Sequence, residues 1–146
     1  MKRVLVLCTA NASRSQMAEG YLQYYAGDWG EFHSAGISPD RVNPYAVQVM
    51  EEDNIDISGK LSKSYQQFER QEFDFLITVC DEAHAALPKR LRAKNRLHFS
   101  IPDPDLAGGD NSARLHAFRE ARELVKRHML KFIGRELKPV ASELPV

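Results

Sequence analysis

The sequence predicts a single α/β domain: a four-stranded parallel sheet flanked by helices, with a strand–loop–helix turn after the first strand. Three observations predict it. Short apolar runs rich in β-branched residues alternate with stretches of helical periodicity. The chain has 146 residues, 43% of them hydrophobic, which suits one compact core. Its two cysteines, Cys8 and Cys80, each end an apolar run, at the edge where parallel sheets bind ligands.

Residues 3–8 read as a buried strand, short and free of internal polar residues. From Ser13 to Ala26, Met17, Ala18, Tyr21, Leu22 and Tyr25 recur at helical spacing, and Gly27 closes the helix. Residues 31–37 form a second strand. Asn43 then caps a helix that has Pro44 at its first position and runs to Asp53. Residues 60–70 read as a short helix, 73–79 as a strongly apolar strand ending at Cys80, and 81–92 as a helix broken or ended at Pro88. A last strand is expected over 96–100. Pro102, Pro104, Gly108 and Gly109 mark a long loop, and an amphipathic helix follows from Ser112 to Leu137. Its buried face is expected to carry Leu115, Phe118, Ala121, Val125, Met129 and Phe132. The domain is placed at 1–138, and residues 139–146 are expected to be a disordered tail.

Lys plus Arg and Asp plus Glu are equal at 20 each. This balance removes the main electrostatic argument for a nucleic-acid or membrane-surface partner. No apolar run approaches the roughly 20 residues that span a bilayer. The basic–apolar start is too short for a signal peptide, so a cytoplasmic location is expected. Both cysteines are then expected to be thiols at rest. The five histidines show no ligand spacing, and no metal is expected.

The chemistry concentrates in residues 8–15, CTANASRS. A loop leading from a strand into a helix turns successive N–H groups inward as an anion nest, backed by the helix dipole. Ala10, Ala12 and Ser13 keep side chains small, so an oxyanion can approach the backbone closely along Thr9, Ala10, Asn11, Ala12 and Ser13. Arg14 adds a planar fork of donors matched to a tetrahedral oxyanion. Cys8 would point its sulfur into this cradle, with the Ser15 hydroxyl steadying the thiolate. Such a field lowers a thiol pKa from about 8.5 to between ~3.5 and ~7.5. The loop lacks the Gly-Lys-Ser/Thr ending of a nucleotide-binding P-loop.

CTANASRSQMAEG resembles the active-site loop of the low-molecular-weight protein tyrosine phosphatase superfamily: Cys, five residues, Arg, Ser or Thr. Within the superfamily it is most similar to the arsenate reductases. RSQMAEG is intact, Ala10 replaces a glycine, and SAG (34–36), VNP (42–44) and IDIS (55–58) also match. The resemblance implies a Cys8 nucleophile, Arg14 on the oxyanion, and Asp103 of the Asp103-Pro104 pair as proton donor. Asp105 competes for that last role, and both acids also suit plain turn chemistry.

Residues 77–80 (ITVC) resemble the reductase segment that bears a second redox cysteine, Cys80. The resemblance therefore implies thiol-dependent reduction of arsenate to arsenite. It would proceed through a Cys8–arsenic adduct and a Cys8–Cys80 disulfide, with Cys80 as a packing residue the alternative. Residues 81–90 lack the third cysteine of thioredoxin-coupled members. The reductant would then be external: thioredoxin, glutaredoxin or a small thiol. A phosphatase with a phosphocysteine intermediate is the second reading, although the tyrosine-rich lip of such enzymes is missing after Pro104. A non-catalytic oxyanion or redox sensor is the third. Some members bind potassium at positions matching Asn11, Glu19 and Ser34. Here Lys63 stands where some carry an acid, and its ammonium is expected to replace the ion.

Overall fold

Val4, Leu5, Val6 and Leu7 are fully buried, because the strand they form has neighbours on both sides and cover on both faces. In the computed structural model, which describes residues 1–137, this strand is β1 (Lys2–Cys8). It lies in a four-stranded sheet of order β2-β1-β3-β4, with β2 at Gly30–Gly36, β3 at Glu72–Thr78 and β4 at Arg92–His98. All three pairings are parallel. Helices α1 (Arg14–Ala26), α2 (Pro44–Glu51), α3 (Asp81–Ala85) and α4 (Asn111–Phe132) complete the α/β fold the sequence predicts.

The chain leaves β1 to one side for β2 and returns to the other side for β3. Strand order therefore reverses at β1, and the carboxyl ends beside such a reversal form a natural crevice. Cys8 closes β1, and Cys80 lies two residues past β3. Both cysteines thus arrive at the crevice by topology.

Local chemistry explains the helix starts. The Asn43 side chain accepts from the Tyr45 N–H at 2.8 Å, with Pro44 at the first helical position. Asp110 caps α4 in the same way, accepting from Ala113 N–H at 2.9 Å. Phe118, Ala121, Val125, Met129 and Phe132 face the core, while Leu115 is only partly buried. Arg122 ties α4 to α2 through the Val49 carbonyl at 2.9 Å and Glu52 at 2.6 Å. Hydrogen bonds from Arg119 and Arg122 hold the Glu52 carboxyl down at about 2.

Three boundaries and one burial differ from the sequence expectation. Residues 60–64 are not helical; Ser64 bridges to Gly36, and only Tyr65–Phe68 makes a 3-10 turn. Helix α3 stops after five residues, well before Pro88. Strand β4 starts at Arg92 rather than at 96, because an exposed edge strand needs no apolar alternation. Tyr25 on α1 is 40% exposed rather than core. Ile133–Leu137 close the last helix with a π turn. The expected tail at 139–146 lies outside the described residues.

Candidate active site

The loop after β1 is held open from behind. The carbonyls of Cys8, Thr9, Ala10 and Ala12 accept from the N–H groups of Ile37, Ser38, Asp40 and Asn43, at 2.8–3.1 Å. The Asn11 carbonyl accepts from Gln16 and from the Ser62 hydroxyl. Every carbonyl from 8 to 12 is thereby engaged by the protein behind the loop. Because a trans peptide sets its N–H opposite its C=O, the N–H groups of 9–13 are left to face the opposite way. That arrangement has the geometry an anion nest requires, and the segment after β2 makes it as much as the loop itself.

Asn11 is the pivot of the loop. Its φ of 52° is left-handed, a conformation that asparagine tolerates better than most residues. Its buried side chain donates to Ser15 Oγ at 2.8 Å and Ser34 Oγ at 2.9 Å. Its carbonyl oxygen accepts from Gln16 at 2.9 Å and Lys63 N–H at 2.8 Å. Gly36 is the matching surface: a Cβ there would lie 2.8 Å from Asn11 N and Thr9 O. Nothing in the spacing of the loop itself pointed to Gly36, whose only signal was the SAG match.

Cys8 is 2% exposed. Its sulfur lies 2.8 Å from Ser15 Oγ and accepts from Asn11 N–H at 3.3 Å. Burial pushes the thiol above its ordinary value; the Ser15 hydroxyl and the Ser15 and Asn11 N–H groups oppose it, and the neighbouring Cys80 adds to the rise. The expected fall of the Cys8 pKa is therefore reversed in sign. Burial is the largest cause, and the Arg14 guanidinium is turned to other partners: its Nη1 donates to the Ile101 carbonyl at 2.9 Å, and its Nη2 lies 3.6 Å from Asp103 Oδ2. Ser15→Ala removes the nearest donor and should shift the alkylation profile of Cys8 to still higher pH. Iodoacetamide rates across pH check this, and an unchanged profile would mean that the Ser15 hydroxyl does not stabilise the thiolate.

Cys8, Thr9, Ala10, Ala12, Ser13, Arg14, Asn43, Asp103 and Asp105 line one cavity of about 130 Å³. The two candidate acids are thus both present, in different roles. Asp103 faces Arg14 and caps the turn Pro104–Leu106 through Asp105 N–H at 3.0 Å. Asp105 reaches only Asn43, at 3.5 Å.

Cys80 is fully buried, and both cysteines are free thiols. Its sulfur accepts from Ala83 N–H at 3.4 Å, which makes Cys80 the cap of α3. It also lies 3.4 Å from the hydroxyl of Thr9, the residue next to Cys8. Residues 8–15, Asp103 and Cys80 are therefore brought together.

Behind the loop, Lys60 rather than Lys63 is the ammonium on Glu19, at 2.5 Å against 3.9 Å. Burial pushes the Lys63 ammonium down, and its backbone N–H, not its charge, serves Asn11. Among the described residues no group of three or more His, Cys, Asp and Glu is placed to hold a metal ion. No described helix is long and apolar enough to cross a membrane.

The model of the low molecular weight phosphotyrosine protein phosphatase family matches residues 3–143. An arsenate reductase of Halalkalibacterium halodurans is 37% identical over 131 residues, covering 90% of this chain and 94% of that protein. An arsenate reductase of Bacillus subtilis is 34% identical with the same coverage. A solved arsenate reductase in a phosphate-binding state superposes with a TM-score of 0.80 at 31% identity, over 92% of this chain and 98% of that one. The same fold appears in a tyrosine phosphatase of Erwinia amylovora, at 20% identity, TM-score 0.76 and 95% coverage of both chains.

Proposed function

The chain belongs to the low molecular weight phosphotyrosine protein phosphatase family, and we propose that within it this protein is a thiol-dependent arsenate reductase. One observation carries the choice: a second buried thiol, Cys80, stands at the rim of the oxyanion loop, in contact with Thr9. A phosphatase needs no such group. The cavity of about 130 Å³ suits an inorganic oxyanion better than a phosphorylated aromatic ring. Relatives named arsenate reductase at 34–37% identity support the same reading.

Arsenate sits against the N–H groups of 9–13 and the Arg14 fork, and the Cys8 sulfur attacks arsenic. The Cys8 thiol and dihydrogen arsenate yield a Cys8–S–As(V) adduct and one water, with Asp103 carrying a proton to the departing oxygen. The Cys80 sulfur then attacks the Cys8 sulfur. The S–As bond breaks, its electron pair stays on arsenic, and arsenite leaves as the Cys8–Cys80 disulfide forms. Two thiols supply the two electrons. An external thiol system, either a thioredoxin- or glutaredoxin-type protein or a small thiol, restores the dithiol.

The test is direct. Turnover with arsenate and a thiol system should exceed hydrolysis of an aryl phosphate. Mass spectrometry after arsenate without reductant should show a species about two mass units below the dithiol, cross-linked at Cys8 and Cys80. Efficient aryl-phosphate hydrolysis with no disulfide would overturn the reading in favour of the phosphatase. Asp103→Asn should slow turnover by about 10²–10⁴-fold, the usual cost of losing a general acid. Cys8 should still alkylate normally in that variant, and the same penalty from Asp105→Asn would transfer the role.

A further inference from the structure

We propose that His98 is a positioning residue for Cys80: it pins α3 to the sheet and thereby sets how readily the Cys80 thiol can be reached. This rests on the reductase reading only for its catalytic consequence. The pinning itself is a statement about accessibility and stands apart from turnover.

Helix α3 is five residues long, too short to be stable without external support. Only Ala83 of its residues is buried. Cys80 has no exposure at all, although a thiol that exchanges with an external reductant must come within reach of it. What holds α3 down is therefore what governs that access.

The holding contacts converge on one ring. His98, the last residue of β4, has its Nε2 2.9 Å from Oδ1 of Asp81, the residue next to Cys80. Asp81 is an acceptor, so Nε2 carries the hydrogen. The other nitrogen, Nδ1, lies 2.7 Å from the hydroxyl of buried Thr78 on β3. His84, on the following turn of α3, stacks on the same imidazole with ring centroids 4.1 Å apart and an interplanar angle of 19°. One side chain thus joins β3, β4 and both ends of α3. None of these groups lines the oxyanion cavity, so the loop chemistry does not account for them.

The experiment is alkylation of the full-length chain under native conditions, with Cys8 and Cys80 quantified separately by peptide mass spectrometry. His98→Ala should speed Cys80 alkylation about tenfold, the effect of losing a hydrogen bond to a charged group from a local opening equilibrium. The rate at Cys8 should stay unchanged. His98→Gln keeps an amide donor and should restore most of the protection. Asp81 is 74% exposed, so Asp81→Ala removes the same contact with little risk to the fold and should reproduce the acceleration. Unchanged Cys80 alkylation in either alanine variant overturns the proposal, as does an equal rise at both cysteines, which would report general loosening. If the variants accelerate Cys80 alkylation but the wild type never reduces arsenate, the pinning stands and the reductase reading fails.

Discussion

Arg14→Lys should lower kcat/KM for arsenate by at least about 10²–10³-fold, the usual penalty for removing one donor from an oxyanion site. The structure makes the loss double. Nη1 holds the Ile101 carbonyl at 2.9 Å while Nη2 lies 3.6 Å from Asp103, so one planar group braces the acid-bearing loop beside the cradle. Lysine keeps the charge but offers a single ammonium on a flexible stem, and it cannot present the fork while bracing the loop. Steady-state kinetics should show kcat falling, and inhibition by inorganic phosphate should weaken in parallel. Near-normal values for both would place the oxyanion elsewhere.

Cys80→Ser should cut arsenate turnover at least about 10²–10³-fold, because attack by a tethered, oriented thiol is replaced by attack from solution. The fold should survive. Serine is a preferred helix cap, and its hydroxyl can accept from Ala83 N–H as the sulfur does. A retained Tm with lost turnover would therefore identify the defect as chemical. Any aryl-phosphate hydrolysis by the wild type should persist in the variant, since that reaction uses Cys8, Arg14 and Asp103 without a second thiol. Sustained arsenate reduction with a small thiol would make Cys80 a packing residue and Cys8 the sole redox cysteine.

Most of the element order was legible because burial leaves a period. Leu5, Val6 and Leu7 in β1 and Phe118, Val125 and Met129 in α4 carry their strand and helix spacing openly. The misplaced boundaries are those without such a face. β4 is an outer strand with Arg92, Lys94, Asn95 and Arg96 exposed, and it reads as polar chain until β3 pairs with it. Residues 60–64 are not helical because Lys63 and Ser64 bind Asn11 and Gly36, more than twenty residues away in sequence.

By itself, the sequence determined the parallel α/β sheet, the strand–loop–helix turn from Cys8 to Ser15, and the arrival of both cysteines at one sheet edge. These follow from local spacing: a buried strand, small loop residues and a helix start need only neighbours in the chain. Tertiary structure decided the rest. It turned the Arg14 guanidinium toward Ile101 and Asp103, buried Cys8 enough to reverse the direction of its pKa, and set Lys60 rather than Lys63 on Glu19. It also brought His98 from β4 onto Asp81 beside Cys80. Each of these depends on groups distant in the chain meeting at a few ångströms, where burial and hydrogen bonding set the energy and no periodicity encodes it.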